Sequence, residues 1–142
     1  MTINLTQMKY FTITELTKSA TATKQGIDNT PSAEVTANLT ALVDKVLDPL
    51  REIYGKPIYV SSGYRCPKLN KAVGGVSNSQ HLKGEAADLC QKSQEENRRL
   101  FVFIEEYCDF DQLLWENGGA WVHVSYRKDG KNRHQVKRLW KK

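Results

Sequence analysis

The apolar positions of this chain fall into two helical stripes and several short alternating runs. Val35, Leu39, Leu42, Val46, Leu47, Leu50 and Ile53 recur at helical spacing and predict the longest helix, with its stripe turned to a core. Thr30-Pro31 marks the start of that helix, with Pro31 at the first helical position. Leu100, Phe101, Phe103, Ile104 and Tyr107 form the second stripe, on a helix opened by the capping box Ser93-Gln-Glu-Glu96. Thr12-Ile-Thr-Glu15 is another capping box and opens a short helix. Residues 19–29 are polar, contain Gly26 and read as a surface loop. A further short helix is predicted over residues 67–72, followed by a polar loop from Gly74-Gly75 to His81.

Period-two alternation and turn residues predict strands at 57–61, 85–90, 112–116 and 121–126, with a last one around 135–139. Ser62 to Arg65, Asn117-Gly-Gly119 and Asp129-Gly130 supply turns. The fold class is therefore α+β: one domain over residues 1–142, with a small antiparallel sheet flanked by helices. Repeats, low-complexity tracts and an interdomain linker are not seen.

Composition adds little to that picture and removes some alternatives. Apolar residues make up 39% and charged residues 26%, ordinary for a soluble globular domain. Met1 to Tyr10 lack a basic start followed by an apolar run, so no secretory signal is expected. No stretch approaches the roughly 20 apolar residues of a membrane span. The chain is expected to be made in the cytoplasm and to be monomeric. The net charge of +5 favours anionic partners, and basic residues crowd between Arg127 and Lys142, with Trp140 among them. That segment reads as a solvated terminus or as a weak contact to an anionic polymer. No helix-turn-helix or similar signature supports specific nucleic-acid binding. Cys66, Cys90 and Cys108 are widely spaced without a Cys-x-x-Cys pattern and are expected to be free, buried thiols.

The chemistry concentrates in two of the three histidines. His81 precedes Asp88 by seven residues, with Gly84 and two alanines between them, and His123 lies in the strand-like run Trp121-Val-His-Val-Ser-Tyr126. Two imidazoles and a carboxylate are a zinc ligand set that leaves the fourth position open to water. A single histidine is more often a surface or hydrogen-bonded residue, but here both flank strand-like segments and one has a carboxylate close by. Such zinc lowers the pKa of water to about 7 and polarises a carbonyl. Water activation also needs a base, and Glu116 ends the strand before the turn from which His123 returns, so a hairpin could bring the two together. Asp109 and Asp111 are weaker candidates. Cys90, two residues after Asp88, could approach the metal or pack behind it. Arg65 could bind a substrate carboxylate or a developing oxyanion. Ser79, Tyr64 and Trp121 could line the cleft, although aromatics at these spacings are more often core.

Taken together, Ser61-Ser-Gly-Tyr-Arg65, Ser79-x-His81-x-x-Gly84-x-Ala86-x-Asp88 and Trp121-x-His123 resemble the zinc D-alanyl-D-alanine carboxypeptidase family. That family includes D,D-dipeptidases and phage endolysins that cut L-alanyl-D-glutamate bonds, and hedgehog signalling domains share its zinc fold. The resemblance runs from about Tyr10 to Tyr126, with the motif-bearing part at about 57–126 and a basic segment at 127–142. It implies one zinc ion held by His81, Asp88 and His123, and Arg65 as a substrate or transition-state contact. Many members carry an acid three residues before the last histidine, where this chain has Ala120; related sequences place it further upstream, which keeps Glu116 as the base. The implied function is a zinc peptidase acting on peptidoglycan stem peptides, either a carboxypeptidase or an endolysin-type endopeptidase. An endolysin would act at the cell wall after release by a separate pore. A non-catalytic zinc-stabilised module gripping a wall peptide or a protein is the alternative.

Overall fold

The structure is a computed structural model and describes residues 8–139. Trp140 and most of the run from Met1 to Tyr10 lie outside the described residues. Helix α1 spans Ile13–Thr17, and Thr12 Oγ1 caps it by accepting from Glu15 N at 3.1 Å. Helix α2 spans Ala20–Gln25, within the segment read as a loop. Ser19 caps its start, and Gly26, at φ 68°, ends it in the left-handed conformation. The alternating alanines and polar residues carry no apolar stripe, and only Ala22 is buried, so periodicity was silent there.

The long helix begins later than Thr30-Pro31 predicts. Ser32 is its N-cap, and α3 spans Ala33–Leu42. A π-helical segment, Val43–Leu47, joins it to α4, Asp48–Tyr54. Pro49 accounts for the wider turn: it has no N–H to give the carbonyl four residues back, and its ring would crowd that carbonyl. The extra residue shifts the helical phase. Tyr54 therefore enters the core, while Ile53, predicted to do so, is 43% exposed.

Five strands form one sheet in the order β1-β2-β4-β3-β5. They are β1 (Val60–Ser62), β2 (Ala86–Leu89), β3 (Gln112–Glu116), β4 (Trp121–Ser125) and β5 (Gln135–Arg138). Helix α5 (Pro67–Ala72) follows β1, and α6 (Gln94–Tyr107) follows β2, both with the bounds the sequence predicts. The sheet is antiparallel except at its edge, where β5 runs parallel to β3. The long connection from β4 through residues 126–134 carries the chain past β3 to its far edge, where β5 runs parallel to β3; a tight hairpin would leave it beside β4.

One face of the sheet is apolar. Leu89, Val122, Val124, Leu113 and Trp115 join Leu39, Leu42, Leu50, Leu100 and Ile104 in a single buried cluster under α3, α4 and α6. The other face carries Asp88, His123, Leu114 and Glu116. The fold is α+β, as expected, and no helix among the described residues is long and apolar enough to cross a membrane.

Candidate active site

Strand register builds the site. Asp88 pairs with His123, and His123 pairs with Leu114, so the three occupy one row across β2, β4 and β3. Cross-strand partners share a face, which sets Asp88 beside His123 although 35 residues separate them. His81 arrives from a 3₁₀ turn, Gln80–Lys83, capped by Ser79 and left through Gly84 at φ 75°. A Cβ on Gly84 would stand 2.8 Å from the Val35 carbonyl oxygen and Cγ1, so only glycine fits this turn beneath α3.

His81 Nδ1 lies 2.7 Å from the Gly63 carbonyl oxygen. A carbonyl only accepts, so Nδ1 carries the proton and Nε2 keeps its lone pair for a ligand. That Nε2 is 3.3 Å from Asp88 Oδ1, and His123 Nδ1 is 3.0 Å from the same oxygen. All three side chains are buried, and the atoms with which they could bind a metal ion lie within 4.8 Å of one another. A tetrahedral ion with bonds of about 2.0–2.1 Å separates its ligand atoms by about 3.4 Å, so this cluster is already near the needed spacing. The nitrogen–nitrogen–oxygen donor set and the carbonyl behind His81 both fit zinc. Burial pushes the Asp88 carboxyl up, but the hydrogen bond from His123 and the His81 ring beside it outweigh that and hold the group well below the usual carboxylate range.

Arg65 stands on the other side of Asp88, with Nη2 3.5 Å from Oδ2. Its Nε donates to Ser62 Oγ at 3.1 Å and its Nη1 to Asn70 Oδ1 at 3.0 Å. Burial lowers the guanidinium's pKa from its usual value, and the charge of Asp88 opposes the shift. Asn70 is itself buried and ties the arginine to the Val76 carbonyl through Nδ2. Asn29 performs a similar task beneath the turn, accepting from Cys66 N and donating to the Tyr64 carbonyl. Neither asparagine announces itself in the sequence, because a lone amide carries no spacing pattern.

A cavity of about 450 Å³ opens over this row. Arg65, Ser79, His81, Asp88, Glu116, Trp121 and His123 all line it. Glu116 pairs with Trp121 across the hairpin, two residues from His123, and its half-buried carboxylate enters none of the ion pairs found among the described residues. Ala120 lies at the turn, exposed and outside the cavity wall.

Residues 9–125 match the family model described as Peptidase M15. The chain belongs to this peptidase family. It is also similar to the zinc D-Ala-D-Ala carboxypeptidase of Streptomyces albus G, with 48% identity over 61 residues, 42% of this chain and 24% of that protein. The similarity thus spans about a quarter of the relative's length.

Not every candidate reaches the peptidase-family cavity. Tyr64 is buried in the core cluster and lines a separate cleft beside α2 and α5. Cys90 turns away, its thiol 3.4 Å from the Ala120 carbonyl, and stands outside the ligand cluster. The three thiols are free as expected, but only Cys108 is buried, and burial pushes its pKa up to about 11. Asp109 is exposed. Asp111 is wholly buried and bound by Arg133 and Gln80, which leaves it no role as a base. Gln80, Gln112 and Arg133 line the cavity without having been singled out in the sequence.

Proposed function

We propose that this chain is a zinc-dependent peptidase that hydrolyses stem-peptide bonds of peptidoglycan, with D-Ala-D-Ala carboxypeptidase chemistry as its leading form. The observation that carries the reading is the His81–Asp88–His123 cluster at the floor of a cavity that also holds Glu116 and Arg65. The family match and the similarity to the Streptomyces zinc D-Ala-D-Ala carboxypeptidase support the substrate class.

His81 Nε2, Asp88 Oδ1 and His123 Nδ1 would hold the ion. Bound there, zinc would supply Lewis-acid chemistry and make a water more acidic. Glu116 would accept a proton from the water that adds to the amide carbonyl carbon. Arg65 faces the negative charge that grows on the carbonyl oxygen, or a carboxylate that orients the peptide. When the carbon–nitrogen bond breaks, Glu116 returns the proton to the leaving amine. Trp121 and Ser79 contact the peptide from the cavity walls. The position of Ala120 supports Glu116 as the base, because a side chain at the turn would stand outside the cavity while Glu116 lines it.

The test is incubation of the zinc-loaded protein with purified peptidoglycan and with stem pentapeptide, with products read by mass spectrometry. Release of D-alanine is expected, and Glu116→Gln should slow it by about 10²–10⁴-fold while leaving zinc affinity intact. Cleavage at another bond would reassign the specificity. Tight muropeptide binding by the wild type without turnover would replace the peptidase with a binding module.

A further inference from the structure

The cavity holds a second arginine that the mechanism does not use. Arg133 precedes β5, in the segment whose charge alone suggested a solvated terminus. It is held by a buried partner: Nε donates to Asp111 Oδ1 at 3.0 Å and Nη2 to Oδ2 at 2.8 Å, while Arg133 N also donates to Oδ1 at 2.9 Å. The Asp111 side chain is 0% exposed and receives a further hydrogen bond from Gln80 Nε2 at 3.0 Å. Next in the chain, His134 takes a left-handed φ of 56° and stacks on Phe110 with ring centroids 4.0 Å apart, which fixes the bend. The Arg133 side chain is nevertheless 52% exposed, and Nη1 has no partner among the described residues.

A surface arginine normally samples many rotamers and is a poor anion site for that reason. Here a buried carboxylate holds one edge of the guanidinium fork and leaves the other edge at the cavity wall. Such an edge matches a carboxylate in plane. Its location is also informative. Asp111 precedes Leu114 by three residues, about 10 Å along a strand from the ligand row. Glu116 lies beyond Leu114 in the opposite direction. About three extended peptide residues cover that distance.

We propose that Arg133 is a specificity-determining residue that binds a substrate carboxylate about three residues from the scissile bond, at the end of the cavity opposite Glu116. The preferred substrate is then an acidic peptide rather than a minimal dipeptide. In a stem pentapeptide cut at D-Ala-D-Ala, the α-carboxylate of D-glutamate stands at that distance. The inference rests on the peptidase reading for its substrate, but not for its test.

Two stem pentapeptides serve as probes, one with the D-glutamate α-carboxylate free and one with it amidated. Binding is followed by tryptophan fluorescence in the zinc-loaded Glu116→Gln background, and cleavage in the wild type. The free acid should bind about tenfold tighter than the amide, as expected for a charge-assisted hydrogen bond. Arg133→Gln should abolish that preference and leave the Kd of the amide unchanged. In cleavage the loss should fall on KM, not kcat. Equal Kd values for acid and amide in the Glu116→Gln background overturn the proposal without any need for the Arg133 variant to fold. An equal loss for both peptides in Arg133→Gln also overturns it, since that marks a merely structural partner of Asp111. If neither peptide is cut but the acid preference is present and Arg133-dependent, the carboxylate site stands and the peptidase reading falls.

Discussion

Gly63 contributes no side chain, yet its carbonyl fixes which nitrogen of His81 is free. Its position is tightly enclosed: a Cβ there would lie 2.2 Å from the Leu16 carbonyl oxygen, which already accepts from Tyr64 N at 2.8 Å. Gly63→Ala must move one backbone or the other and with it the carbonyl behind His81. Zinc affinity should fall by about 10–100-fold, the usual effect of losing a partner behind a ligating histidine. Competition against a chromogenic chelator measures this, and unchanged affinity would show that the carbonyl is dispensable. Asp111 makes a second prediction at this scale. Hydrogen bonds from the Arg133 side chain pull its carboxyl down to about 2, below the roughly 3.9 of an unfolded chain. A depressed folded-state pKa stabilises the fold in full above about pH 4, and the contribution fades as pH falls toward 2. Asp111→Asn should cost about 1–3 kcal/mol at neutral pH. It should also flatten the acid limb of the stability curve, read by urea denaturation from pH 6 to 2.5. Retention of the wild-type acid limb would assign the protection to another carboxylate.

Individual elements differ in how openly the chain declares them. Helix α6 is set by local chemistry: Ser93 Oγ accepts from Glu96 N at 3.1 Å, and Leu100, Phe101 and Ile104 are buried at helical spacing. Its bounds were legible for that reason. Ser93→Ala should cost about 1 kcal/mol and lower Tm by a few degrees. It should leave kcat/KM unchanged, because α6 packs on the face of the sheet away from the cavity. A drop in activity equal to that of a site variant would show that α6 tunes the ligand row. Helix α2, the π segment before α4 and the parallel pairing of β5 with β3 were not legible. The first has caps but no stripe. The second is a response to Pro49 inside an otherwise regular helix. The third depends on which neighbour β5 finds after a connection too long to dictate its direction.

For the whole molecule, the proposed ligands Asp88 and His123 sit on paired strands of the sheet, so metal binding there would be linked to folding. Zinc at 100 times its Kd should stabilise the native state by about 2.7 kcal/mol if the unfolded chain does not bind it. Thermal melts with zinc and with chelator measure the difference, which His123→Ala should erase. A zinc-independent Tm would mean that these three side chains do not form the metal site. The chain itself declares the candidate ligands and their order, the capped helices, the core stripes and the alternation of the strands. These are local features, carried by residues within a turn or a strand of one another. It could not decide that Asp88 faces His123 across paired strands, that Glu116 enters the cavity while Tyr64 joins the core, or that Arg133 leaves the basic terminus for the site. Each of those depends on strand register and on contacts between residues far apart in sequence, which exist only once the sheet has assembled and the core has chosen its face.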